Sequence, residues 1–147
     1  MLQDEFSFFC SVKINSGNKA LEHLPYELAA LGSGKPLILT GSKALRKTLL
    51  NAFKNSSLTV CIYDEINHDN DTDEIRNLAD LYRNNRCDAL IVAGSGPDVD
   101  LAKAVNILVS HNWESLERYT AEEAIPGSLK PFIVIPTLTC NGLETTG

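Results

Sequence analysis

Short apolar runs recur along the chain at Pro36 to Thr40, Leu58 to Tyr63, Ala89 to Ala93 and Phe132 to Ile135. They do not alternate strictly with polar residues, which is the pattern of strands buried on both faces of a parallel sheet. Between them, apolar residues return at spacings of three and four, the period of a helix with one buried face. Leu21, Leu24, Leu28 and Leu31 mark the first such face, on a helix capped by Asn18 and running to about Leu31, or starting nearer Pro25. Leu45, Leu49, Leu50 and Phe53 mark a second helix, which ends near Lys54. Ile75, Leu78, Ala79 and Tyr82 mark a third, with Thr72 as its cap, and Leu101, Ala104, Val105 and Leu108 a fourth, opened by Pro97. Residues 5–14 read as extended, 64–71 as a polar loop, 112–119 as a short helix and 121–128 as loop. Strands alternating with helices predict βαβ units and an α/β fold, a parallel sheet with flanking helices behind an extended N-terminal segment.

The third run leads straight into Gly94-Ser95-Gly96, and Pro97 then opens a helix. A strand, a glycine turn and a helix N-terminus in succession can bind an anion. The first amides of the helix lack internal partners, the macrodipole adds positive charge, and glycine admits a phosphate to the backbone. The same residues would equally form a tight strand-to-helix turn with no ligand, and taken alone they leave both readings open. In an open parallel sheet, ligands sit beyond the carboxyl ends of the strands. Gly41-Ser42-Lys43, Gly94-Ser95-Gly96-Pro97-Asp98 and Thr137-Leu138-Thr139 all leave such ends, and together they can hold an extended dinucleotide. Asp98 and Asp100 lie in the first helical turn, where Asp98 is placed to cap. Two carboxylates beside a diphosphate repel it, so at least one must point away or be used by the protein. Asp64 reads as a solvated loop residue.

Composition narrows the function classes. The 147 residues suffice for one domain, and a net charge of −6 with scattered basic residues argues against nucleic acid and anionic membranes as partners. No run is long enough to span a bilayer, and the opening MLQDEFSF lacks a signal-peptide layout, so the cytoplasm is the expected compartment. Cys10, Cys61, Cys87 and Cys140 form no C-x-x-C pair and read as reduced thiols, Cys61 on a buried strand and Cys140 in a loop. His23, His68 and His111 are far apart, without metal-ligand spacing, and read as surface or capping residues. His68 with Asp69, Asp71 and Asp73 forms an acidic patch resembling a weak cation site, but without EF-hand spacing it reads rather as a solvated turn. The chain ends at Thr145-Thr146-Gly147 with no closing element, so a fragment or an N-terminal domain is expected.

The motifs also form an ordered set. GSGPDVDLAK, residues 94–103, resembles the G-G-G-S-x-x-D-x-A-K signature of the iron-containing alcohol dehydrogenase family. PFIVIPTLTCNGLE, residues 131–144, resembles that family's P-x-x-x-I-P-T-T-x-x-T-G-S-E block. Ile14 to Leu24 is similar to its opening I-x-x-G-x-x-A-L-x-x-L, and Asn70-Asp71-Thr72 stands where the family has N-P-T. The resemblance implies a Rossmann-like domain that binds NAD or NADP. It also implies a following helical domain, outside these residues, whose Asp and three His hold a divalent metal, iron or zinc. The substrate class it implies is small alcohols and their aldehydes or ketones. Carried over by position, Gly94, Ser95, Gly96, Pro97 and Asp98 match the pyrophosphate turn. Thr137 and Leu138 match the paired threonines near the diphosphate and nicotinamide, Asn70 an Asn near the adenosine, and Asp100 and Lys103 the signature's Asp and Lys. Gly41 and Ser42 form the loop for the adenosine end. Ser95, Pro97, Leu138 and Asn141-Gly142-Leu143 depart from the signature, and Pro97 and Leu138 each remove a phosphate or cofactor donor.

Many family members carry an acid after the first strand's threonine. Here Thr40 is followed by Gly41-Ser42-Lys43, which favours NADP over NAD. The alternatives are a non-catalytic nucleotide- or phosphate-binding module, or a glycerol dehydrogenase-, maleylacetate reductase- or dehydroquinate synthase-like relative. These residues alone are expected to bind nucleotide weakly and to catalyse nothing. The extended N-terminal segment can pair with a partner's sheet edge, which allows a homodimer while leaving the oligomeric state open.

Overall fold

Burial on both faces explains why the central strands read as unbroken apolar runs. In the computed structural model, which describes residues 13–17, 19–112 and 128–137, every residue of β1 (Pro36–Thr40) and β3 (Ala89–Gly94) is buried. With β2 (Cys61–Tyr63) and β4 (Phe132–Pro136) they form a parallel sheet in the order β2-β1-β3-β4. Helices α1 (Leu24–Ala30) and α2 (Lys43–Ala52) supply the core on one face, where Leu24, Leu28, Leu49 and Phe53 meet Ile38, Ile91 and Ala93. On the other face, α3 (Asp71–Asn84) and α4 (Gly96–His111) pack Leu78, Tyr82, Leu101 and Val105 against Leu37, Leu39, Leu90 and Val92. The side-chain period of two along each strand separates these two cores. The α/β architecture is the expected one.

Several boundaries differ from the expected ones. The second strand begins at Cys61 rather than Leu58, because the Thr59 amide bonds Gly34 ahead of β1 and the ladder starts only where Cys61 meets Leu37. A 3-10 turn over Ala20–His23 precedes α1, which starts at Leu24 with Pro25 in its first turn, where the missing amide costs nothing. Leu31 follows the last turn and is 53% exposed, and Leu50, one position round from buried Leu49, is 37% exposed. Asn70, not Thr72, caps α3, its side chain accepting the Asp73 amide at 3.2 Å. On α4 the buried stripe takes in Ala102 and Val109, while Ala104 is only half-buried. Cys61 is half-buried rather than buried. Burial pushes the buried Cys87 thiol up to about 12, so it is protonated and unreactive at neutral pH. Asn18, Cys10, Cys140 and the expected features over 5–12, 113–119 and 121–127 lie outside the described residues.

Two polar side chains tie the sheet ends. Asp88 takes the Ser33 hydroxyl and the amides of Gly34 (2.8 Å) and Lys35 (3.0 Å), fixing the approach to β1 against that to β3. Burial opposes the Asp88 charge, but these three donors outweigh it and hold the carboxyl below its usual range. Asn106, 2% exposed on α4, donates to the Lys130 carbonyl at 3.0 Å and accepts the Lys130 amide at 3.1 Å and the Ser110 hydroxyl at 2.8 Å. Asn106→Ala takes the side-chain donor from the Lys130 carbonyl and the acceptor from the Ser110 hydroxyl, while the Lys130 amide keeps Ser110 Oγ at 2.9 Å. The substitution is expected to cost about 2–3 kcal/mol, read from the denaturant midpoint with the slope unchanged.

Candidate functional site

The strand order reverses direction once. From β1 the chain moves to β2 on one side, then crosses back to β3 on the other, so the switch point lies between β1 and β3. Thr40 pairs with Ala93 and Gly94 with Pro136, which brings the carboxyl ends of β1, β3 and β4 level. The loops after these three strands, Gly41-Ser42, Gly94-Ser95-Gly96-Pro97 and Thr137, therefore open on one edge of the sheet, where such folds hold ligands. The Thr137 amide reaches the Gly94 carbonyl at 3.4 Å, tying the third loop to the second. Leu138 lies outside the described residues.

The two glycines of the central turn differ in role. A Cβ on Gly94 would fall inside the Asp98 carboxylate, 2.7 Å from Cγ and 2.8 Å from Cβ of that side chain. Gly94 is thus there to let Asp98 fold back, and Asp98 Oδ2 accepts the Ser95 amide at 3.0 Å. A Cβ on Gly96, by contrast, would meet nothing within 4 Å. The backbone is open at that point, and the Gly96 amide, at the first helical position, has no intrahelical acceptor. Pro97, one place further on, has no amide to offer. A third glycine, Gly41, is enforced by the β2–α3 connection, since its Cβ would lie 2.9 Å from the Ile66 carbonyl. Ser42 occupies the cap position of α2 and donates its amide to Thr40 Oγ1 at 3.2 Å.

The two carboxylates at the start of α4 are separated. Asp98 is 8% exposed and used by the protein, while exposed Asp100 lines an open cleft of about 340 Å³ between α3 and α4 with Asp71, Ile75, Pro97 and Leu101. The second oxygen of Asp98 meets His68 Nε2 at 2.8 Å, and His68 Nδ1 meets Asp71 at 2.9 Å. His68 is therefore neither a surface residue nor a simple cap; it joins the β2–α3 loop to the glycine turn. Its backbone is left-handed (φ 62°), a region that histidine enters more readily than most residues. Glu74, 8% exposed, accepts the amides of Asn67 (3.3 Å) and His68 (3.4 Å). Burial lowers the His68 pKa, but the hydrogen bonds of Asp98 and then Asp71 outweigh it and set the ring above the ordinary histidine value.

The same geometry corrects the reading of Asp64 and places the remaining candidates. Asp64 is not solvated: it pairs with Arg46 at 3.1 Å, its side chain 14% exposed. Lys43, the cation of the first loop, faces Glu65 at 3.3 Å, both side chains well exposed. Asn70 is engaged in capping α3. The ligand set of one aspartate and three histidines is not assembled among the described residues, where His23 precedes α1 and His111 ends α4. Donor atoms of His68, Asp71 and Glu74 lie within 4.8 Å of one another, but all three residues are engaged in the hydrogen bonds just given. Glu74, Asp88 and Asn106 went unread in the sequence, since their partners are backbone groups or lie tens of residues away, and the His68–Asp98 contact spans thirty positions.

A parallel sheet with a glycine turn and a helix start at its switch point defines a Rossmann-like α/β domain. More narrowly, the chain belongs to the iron-containing alcohol dehydrogenase family, whose model matches residues 11–147. It is 24% identical to the choline dehydrogenase of Bacillus subtilis, over 99% of this chain and 38% of that protein. It is 26% identical to the NAD-dependent methanol dehydrogenase of Bacillus methanolicus, over 95% of this chain and 38% of the relative. An iron-containing alcohol dehydrogenase structure from Thermotoga maritima superposes with a TM-score of 0.74 at 26% identity, covering 90% of this chain and 38% of that one. The chain thus spans well under half the length of these relatives. No helix among the described residues is long and apolar enough to cross a membrane.

Proposed function

We propose that this chain is the cofactor-binding part of an NAD(P)-dependent dehydrogenase that interconverts a small alcohol with its aldehyde or ketone. The observation that carries this reading is the open Gly96 backbone at the switch point, level with the loops after β1 and β4. The diphosphate lies at the Gly96 amide and the α4 N-terminus, with Ser95 and the Asp98 main chain beside it. Gly41 and Ser42 take the adenosine end, with Asn70 assigned there by motif position alone, and Thr137 takes the nicotinamide end, with Leu138 assigned there by motif position alone. The cofactor, when bound, supplies the hydride chemistry. The metal that polarises the substrate oxygen in this reading needs ligands other than the residues described. Pro97 and the occupied Ser95 amide leave this turn fewer donors than an all-glycine turn, so nucleotide binding is expected to be weak.

Cofactor choice turns on the first loop. Exposed ion pairs contribute little, so Lys43 can leave Glu65 for a 2′-phosphate, and NADP is accepted at least as well as NAD. Calorimetric titration of the chain with both cofactors tests the whole reading. Neither binding at millimolar concentration sinks it, and NAD binding tenfold tighter than NADP sinks the preference alone. Lys43→Gln is expected to weaken NADP about threefold to tenfold and to leave NAD unchanged.

A further inference from the structure

We propose that His68 is a positioning residue for the diphosphate turn: clamped between Asp98 and Asp71, it keeps the Asp98 carboxylate on the Ser95 amide and offsets one negative charge beside Gly96. The inference rests on the reading that a diphosphate binds at Gly96.

The geometry favours a doubly protonated ring. Nε2 lies 2.8 Å from Asp98 Oδ1 and Nδ1 lies 2.9 Å from Asp71 Oδ1, so both nitrogens face acceptors. Neutral imidazole has only one N–H, and its bare nitrogen would then confront a carboxylate at contact distance. The left-handed backbone at His68 and the Glu74 carboxylate on its amide fix where the side chain starts. The charged groups facing it are Asp71 and Glu74 from α3 and Asp98 from α4, all acidic. With His68 charged, the Asp98 carboxylate is held at both oxygens, on the Ser95 amide and on the ring. On losing its proton, the ring leaves the carboxylates uncompensated at the edge of a site meant for an anion. Cofactor affinity then falls as pH rises through the His68 pKa. By reciprocity, bound cofactor raises that pKa.

The test uses NAD, whose diphosphate does not titrate near neutrality. Affinity is measured by calorimetry at pH 6 and pH 9 for the 147-residue chain and for His68→Asn, a residue that tolerates the left-handed backbone. The native chain is expected to bind threefold to tenfold more weakly at pH 9, and the variant to show less than a twofold difference. Independently of any variant, the His68 titration midpoint followed by ¹⁵N NMR should move upward when NAD saturates the chain. An unchanged pH dependence in His68→Asn, or a midpoint that stays or falls with NAD, overturns the clamp while leaving the binding site intact. Failure of NAD to bind at either pH overturns the site and the clamp together.

Discussion

Gly96→Ala is expected to weaken NAD binding at least tenfold while leaving the stability of the chain within about 1 kcal/mol of its present value. The two halves of this expectation come from one observation. The new methyl would meet nothing within 4 Å, and Gly96 is not among the residues with positive φ, so the free chain accepts alanine without strain. At the first turn of a helix alanine costs no more than glycine, and it lowers the entropy of the unfolded chain, which favours folding. The open space is also where a diphosphate must approach the amide, and there a methyl group stands between ligand and donor. Calorimetry for binding and thermal unfolding for stability separate the two. Undiminished affinity in a folded Gly96→Ala chain would place the nucleotide elsewhere.

The neighbouring glycine is expected to behave in the opposite way. Gly94→Ala should lower stability by about 2–4 kcal/mol, a fall in Tm of roughly 6–12 °C for a chain of this size. The added Cβ would sit on the Asp98 side chain, which cannot swing aside without releasing both the Ser95 amide and His68. The backbone cannot yield either, since Gly94 is paired with Pro136 and Ala93 with both Thr40 and Ile135. Asp98→Gly removes the obstacle, Cβ included, so the double variant Gly94→Ala/Asp98→Gly should be little worse than Asp98→Gly alone. Denaturant unfolding of the four species gives the coupling directly. Simple additivity of the two losses would show that Asp98 is not what excludes a side chain at position 94.

The parts of the molecule that could be read from sequence are those with short-range causes. Buried strands announce themselves because full burial at Leu37 to Leu39 and Ala89 to Val92 forbids polar alternation, and α3 because Leu78, Ala79 and Tyr82 share one face. The capping role of Asp98 was legible for the same reason, as donor and acceptor lie three residues apart. Its cap-forming rival failed at α3, where Asn70, Asp71, Thr72 and Asp73 are all capable residues and only the turn of the chain selects Asn70. Contacts made through the fold left no trace. Nothing local links His68 to Asp98, thirty positions on, or brings Glu65 to Lys43, and Leu31 looks like a fourth core residue until the helix ends one residue earlier. The glycine turn shows both cases: its existence is plain in the sequence, but which glycine serves packing and which stays open depends on where one carboxylate folds.

The Asn106 tie has a consequence for how the edge of the sheet opens. Because Asn106 and Ser110 grip the Lys130 backbone directly, the start of β4 is registered from the last turns of α4. Fraying of that end of the helix would therefore release the outermost strand with it, joining the two in one cooperative unit.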